Sequence, residues 1–200
     1  MTEAAAHPDV APHPIRLLND DDLQRNRLTV FFRLLIAIPH LLFLALWSLI
    51  MPFTALVNWF ATLFGGGRLP YGLHEFTARY VRYLTHVFAY THLIADPFPP
   101  FAATRGYPID IEIDLPTTQN RWTVGFRLLL AIPALILSSV FRSLIQILAL
   151  VGWFYALATG RMSHGMRDLA AFALRYDMQT TGYVLILTDR YPSLSGGPAA

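Results

Sequence analysis

Residues 26–39 read Asn26-Arg-Leu-Thr-Val-Phe-Phe-Arg-Leu-Leu-Ile-Ala-Ile-Pro39, and residues 120–133 read Asn120-Arg-Trp-Thr-Val-Gly-Phe-Arg-Leu-Leu-Leu-Ala-Ile-Pro133. Eleven of these fourteen positions are identical, at an offset of 94. Two merely apolar segments would not place Asn, Arg, Thr and Pro at the same points, so the chain is duplicated. Each copy sets an Asn where a helix N-cap belongs, then opens a long apolar run. Each run carries an Arg several residues inside it, Arg33 and Arg127.

The duplication extends outward in both directions. His13-Pro14-Ile15 matches Tyr107-Pro108-Ile109, Trp59-Phe60 matches Trp153-Phe154, and Gly66 matches Gly160. Past that glycine the offset falls to 93: Tyr90 matches Tyr183, Asp96 matches Asp189 and Pro99 matches Pro192. The chain therefore divides into a tail at 1–13, a first repeat at 14–100, a second at 107–192 and a tail at 193–200. Both tails are rich in Ala, Pro, Gly or Ser and read as disordered. The first has no basic segment ahead of an apolar core, so it is not read as a signal peptide.

Composition agrees with a membrane protein. Hydrophobic residues make up 54% and charged residues 14% of the chain, and the mean hydropathy is +0.43. Cysteine is absent, which excludes disulfides and thiolate metal sites. All 15 basic residues are Arg. They punctuate the apolar runs and form no nucleic-acid stripe, so no nucleic acid is expected as a partner.

The runs at 28–64 and 122–158 each hold 37 residues. One straight helix of that length would measure about 55 Å, against a hydrocarbon core of about 30 Å. Two helices of about 18 residues would fit, so each run is read as a transmembrane hairpin, turning near Trp47–Pro52 and Ser138–Ser143. Pro39 and Pro133 should kink the first helix of each pair. Behind each hairpin, residues 72–87 and 165–178 set apolar side chains at helical spacing against Arg, Glu and Asp. They read as amphipathic helices at the membrane surface, with packing on a protein core as the alternative. Ile109–Leu115 alternates apolar and acidic residues and predicts a half-buried strand, with Ile15–Leu18 as its counterpart. Val87–Ile94 and Gly182–Thr188 are read as closing strands. The expected fold is thus a mainly α membrane protein with a small β-sheet and four spans, the unit of strand, hairpin, surface helix and strand being used twice. The Arg residues lie on the strand side, which predicts a multi-pass protein of the plasma (inner) membrane with both termini cytoplasmic.

The paired N-R-x-T-V-x-F-R-x-x-x-A-I-P segments, and the Trp-Phe ahead of a Gly-containing loop, resemble a bacterial membrane family, domain-of-unknown-function family 4389. The resemblance covers about residues 14–192. It implies an integral membrane protein and supplies no activity or catalytic residue.

Candidate site residues come from the repeat. Arg33 and Arg127 sit roughly 10 Å inside their helices, where a guanidinium either snorkels to headgroups or has a specific partner. Two partners are open. Lipid phosphate could be held by Arg27, Arg33 and Arg82, and again by Arg121, Arg127 and Arg175. Alternatively Arg33 pairs with Glu75, and Arg127 with Asp168, bracing each hairpin on its surface helix. Trp59 and Trp153 read as interfacial anchors. The His spacings suit no metal site, the Gly65–Gly67 loop lacks the Lys and Ser/Thr of a phosphate cradle, and no nucleophile motif is present. No catalytic residue, cofactor or metal is therefore expected. The leading reading is a non-enzymatic scaffold or accessory subunit binding anionic lipid, another membrane protein or a second copy of itself. The alternatives are a small transporter or channel component, with its path between the repeats, and a lipid-modifying enzyme.

Overall fold

The computed structural model describes residues 12–195; the expected tails lie mostly outside that range. In chain order the elements are β1 (Ile15–Asn19), α1 (Arg27–Phe64), α2 (Tyr71–Thr91), β2 (Ile109–Ile113), α3 (Arg121–Gly125), α4 (Arg127–Thr159) and α5 (His164–Val184). Asn26 and Asn120 are N-caps as expected: the Asn26 side chain accepts from the backbone N–H of Leu28 and Thr29, and that of Asn120 from Trp122 N–H.

The hairpins do not form. α1 runs 38 residues and α4 runs 33 without a turn, so two helices, and not four, are long and apolar enough to cross a membrane. Hydroxyl groups in and beside the expected turns are satisfied by the helix itself. Ser139 Oγ donates to Ile136 O, Ser143 Oγ to Ser139 O and Thr54 Oγ1 to Ile50 O. Pro39, Pro52 and Pro133 all lie within helix. The helical course is not straight, however. Arg33 reaches Tyr90 and Ser48 reaches Tyr80, yet Asn58 still reaches Thr77, one turn further along α2. α1 therefore departs from a straight antiparallel path in the segment holding Pro52. In the second repeat the run breaks briefly at Phe126, after Gly125, which takes the place of Phe31 and is a weaker helix former.

The closing strands do not form: residues 87–91 and 182–184 are the last turns of α2 and α5, and residues 92–94 and 185–187 are turn and bend. α2 continues to Thr91 and α5 to Val184, because Val87, Ala89, Tyr90 and Tyr183 are buried from several sides and no neighbouring strand edge competes for their backbone. The only sheet among the described residues is the antiparallel ribbon β1–β2, with Ile15 opposite Ile113 and Leu17 opposite Ile111. Ile15, Leu17, Ile109 and Ile111 face the core, and Arg16 bridges Glu112 and Asp114 on the outer face.

α2 and α5 are not surface helices but the centre of the fold. They pack on each other, on the ribbon and on the long helices. Polar groups on their inner faces are buried, some with partners: His86 Nε2 lies 2.9 Å from Asp110 Oδ1, and Gln179 Nε2 donates to Ile15 O. α1 and α4 meet head to tail. Trp153 Nε1 donates to Val30 O, and its repeat mate Trp59 Nε1 donates to Val124 O. The two tryptophans expected as anchors thus stitch one repeat to the other.

Candidate functional site

Each repeat ends its inner helix with a residue in the left-handed region, Leu93 (φ 64°) and Ile186 (φ 66°). Glycine is the usual occupant of such a cap. A residue with a large side chain there, above all the β-branched Ile186, is strained, on the order of 1–3 kcal/mol, so the surroundings must hold it. The carbonyl groups freed around each cap converge on an arginine of the neighbouring long helix.

In the first repeat Arg33, 2% exposed, donates through Nη1 to Tyr90 O (2.7 Å) and Ala95 O (2.8 Å) and through Nη2 to Asp96 Oδ1 (2.5 Å). Its guanidinium lies 4.5 Å from the Tyr90 ring centroid. In the second repeat Arg127, 1% exposed, donates to Tyr183 O (3.0 Å) and Thr188 O (2.5 Å), and stands 4.4 Å from the Tyr183 ring. These acceptors are repeat mates: Tyr90 with Tyr183, Ala95 with Thr188. A cation at a helix C-terminus is favoured by the helix dipole, and charge-assisted bonds are the strong ones.

A second side chain completes each clamp. Arg25 donates to Leu93 O (3.0 Å) and Ile94 O (2.9 Å) and is paired with Asp21 at 2.8 Å. Its mate Gln119 donates to Ile186 O (3.0 Å), and its Oε1 accepts from Arg127 Nη2 (2.7 Å). Arg33 thus has a carboxylate partner where Arg127 has a neutral amide.

Neither expected pairing forms. Glu75 pairs with Arg79 at 2.6 Å and Asp168 with Arg167 at 2.7 Å, both on their own helix. Glu75 and Asp168 are thus spent on their own helices, while the acceptors for Arg33 and Arg127 are mostly main chain. The two lipid trios are not gathered either. Arg27 donates to Ala158 O, Arg82 to Ile111 O with its Nε 3.3 Å from Asp110, and Arg121 is exposed at the far end. Arg175 lies over the Phe172 ring at 5.0 Å.

A model of the family described as Domain of unknown function (DUF4389) matches the chain twice, at residues 27–103 and 121–195. The chain belongs to that family. No curated protein and no solved structure matches it. Each DUF4389 copy begins one residue after its capping Asn, so both copies take in the clamp arginine with its Tyr and αL residue, together with Asp96 or its sequence mate Asp189, of which Asp96 is the one bonded to its arginine. Arg25 and Gln119 fall just ahead of the matched segments.

Sequence reasoning located Arg33 and Arg127 and missed Asp96, Arg25 and Gln119. A signal for Asp96 existed: Tyr90 and Asp96 recur with Arg33 at the repeat offset. Arg25 and Gln119 differ in type, so repetition could not mark them. Two further buried groups escaped notice. Asp110 also accepts from Gly106 N–H (3.0 Å). Burial acts to raise its carboxyl, but hydrogen bonds from His86, Ile111 N–H and Gly106 N–H outweigh this and hold it below the usual range. Asp177 accepts from Ser138 Oγ and from Arg142 Nε at 2.8 Å. Its burial raises its carboxyl despite Arg142 and Ser138. Among the described residues, no three His, Cys, Asp or Glu gather for a metal.

Proposed function

We propose that the chain is a non-enzymatic, membrane-embedded module. α1 and α4 occupy hydrocarbon, and α2, α5 and the ribbon form a polar body that meets anionic headgroups or a partner protein on the cytoplasmic side. The observation that carries this reading is the exposure of the long helices. α1 buries one narrow stripe, through Val30, Arg33, Ala37, His40 and Leu44, and exposes large apolar side chains from Leu28 (69%) to Phe64 (75%). α4 does the same from Leu128 to Tyr155. An exposed apolar surface of this extent marks a membrane or protein contact. The contour of α1, about 57 Å, is nearly twice a 30 Å core, so the bent α1 and the shorter α4 run obliquely through or along the bilayer.

The scaffold reading gains over a transporter from what the polar side chains of α1 do. Asn58 donates to Thr77 Oγ1 and Leu185 O, and Ser48 shares a hydrogen bond with Tyr80. Both are spent on holding α2 and α5. The arginine clamps likewise fasten main chain and offer neither a base nor a nucleophile.

The native chain has no cysteine, so single introduced ones report cleanly. Membranes from expressing cells are washed with alkaline carbonate, and Glu75→Cys and Arg105→Cys are labelled with an impermeant maleimide. Retention in the membrane and labelling only after permeabilisation are expected. Release by carbonate would overturn the embedding, and labelling on intact cells would overturn the orientation.

A further inference from the structure

The two repeats differ at one position that faces the seam between them. In one half Phe31 stacks on Trp153, ring centroids 6.2 Å apart and planes 29° apart. The equivalent pair is Gly125 and Trp59, and there the covering ring is missing. Where it would lie, a groove of about 400 Å³ opens between α1 and the start of α4, bounded by Pro52, Leu56, Trp59, Gly125, Leu128 and Arg127. That volume falls within the range of small-molecule sites.

The lining decides what fits. Apart from Arg127 the walls are hydrocarbon and indole, and an apolar space of this kind holds an apolar occupant better than water. Leu56 and Leu128 belong to the exposed apolar flank of the long helices, so the groove opens sideways onto the surface assigned above to lipid. Arg127 supplies the polar end. Its mate Arg33 is in a direct ion pair with Asp96, whereas Arg127 forms no ion pair within 4.0 Å among the described residues: it bonds the neutral Gln119 and feels Asp189 only at longer range. The Nε–H of Arg127 has no acceptor. The Nε–H of Arg33 is also unbonded, but its charge is already paired.

We propose that this groove is a binding site for one acyl chain of an anionic amphiphile, with the chain against Trp59 and the carboxylate or phosphate head at Arg127. The first repeat carries no such site because Phe31 fills it. This rests on the membrane reading above, since the groove opens onto the lipid-facing flank. The asymmetry is what turns a structural duplication into a single site per chain.

The test uses the full chain in nanodiscs and a photoactivatable diazirine fatty acid, with crosslinks mapped by mass spectrometry. One dominant adduct is expected, on peptides containing Trp59 or Leu128. A Cβ added at Gly125 would meet no heavy atom within 4 Å, and the groove beside it offers the ring of Gly125→Phe its space. It should cut that adduct at least tenfold, and Gly125→Leu should cut it in part. Phe31→Gly should add a second adduct beside Trp153. The methyl ester of the same probe should label several-fold less than the acid. Competition by oleate or by phosphatidylglycerol then tells a free fatty acid from a phospholipid. Labelling spread evenly along α1 and α4, and unchanged in Gly125→Phe, would overturn the site while leaving the membrane reading intact. Equal labelling by acid and ester would overturn the role of Arg127. No labelling anywhere on either helix would overturn the membrane reading itself.

Discussion

The first repeat and the second build the same clamp with different chemistry. Arg33 and Arg127 hold equivalent main-chain carbonyls over equivalent tyrosines, but one charge is met by Asp96 and the other by Gln119. The contrast continues along the helices. His40 bonds Tyr83 at 2.6 Å and Ser48 bonds Tyr80 at 2.9 Å in the first repeat. The second has Ser138 and Arg142 on Asp177 at the corresponding level. What stays constant is the contact between a side chain and backbone; what drifts is the contact between side chains. A backbone acceptor cannot mutate away, so the arginine that binds it keeps its place, whereas a side-chain partner can be exchanged for any group of suitable reach.

The comparison breaks most sharply at the clamps. Arg33→Gln removes one member of a largely buried ion pair and should cost about 3–5 kcal/mol. Arg127→Gln strands no bonded carboxylate and should cost less, about 2–3 kcal/mol for bonds to a charged donor. Adding Asp96→Asn to Arg33→Gln should recover part of the loss. Equal losses for the two single variants, measured by denaturant unfolding in detergent, would contradict the difference in partners.

The tryptophan seam gives a smaller effect. Trp59→Phe and Trp153→Phe each lose a hydrogen bond to the opposite repeat, about 1 kcal/mol. Trp153→Leu should cost ~0.5–1 kcal/mol more than Trp59→Leu, because it also removes the stack on Phe31. Thermal unfolding of both variants checks the order.

The smallest expected effect is on pH. Burial lowers the pKa of His13, His74 and His92, and neither His74 nor His92 has a histidine mate in the second repeat. The native state then binds fewer protons than the unfolded chain below about pH 6.5, so stability should fall as pH drops through that value. Asp177 acts with the opposite sign. Its raised carboxyl binds a proton more tightly in the native state, so this group favours the fold as pH falls from above its raised value towards the ordinary carboxyl value of 3.8. Replacing His74 and His92 by Gln should flatten the melting temperature between pH 7 and pH 5.5. An unchanged slope would show that these rings are not the source.

The duplication, the caps and the ribbon were legible because each rests on local pattern: Asn ahead of an apolar run, or alternation over Ile109–Ile113. The hairpins were misread because length alone suggested a turn, while Ser138, Ser139, Ser143 and Thr54 find acceptors within or beside an unbroken helix. The closing strands were misread because Val87–Ile94 has strand-like composition, and only tertiary contacts with α1 and the ribbon decide for helix. Arg33 and Arg127 stood out by depth and repetition. Their partners did not, since main-chain carbonyls at a helix end have no signature in side-chain type.

The central claim is that α1 and α4 lie in hydrocarbon while the inner helices and ribbon do not. Nitroxide labels on single cysteines at Leu35, Leu42, Leu49 and Leu56, and at Leu129, Ile136 and Leu150, measure it directly in nanodiscs, with Arg79 and Glu112 as water-facing controls. The account expects high oxygen and low nickel-chelate accessibility at every position on the long helices, and the reverse at the two controls. Nickel-chelate accessibility along α1 or α4 equal to that at Arg79 and Glu112 would contradict it.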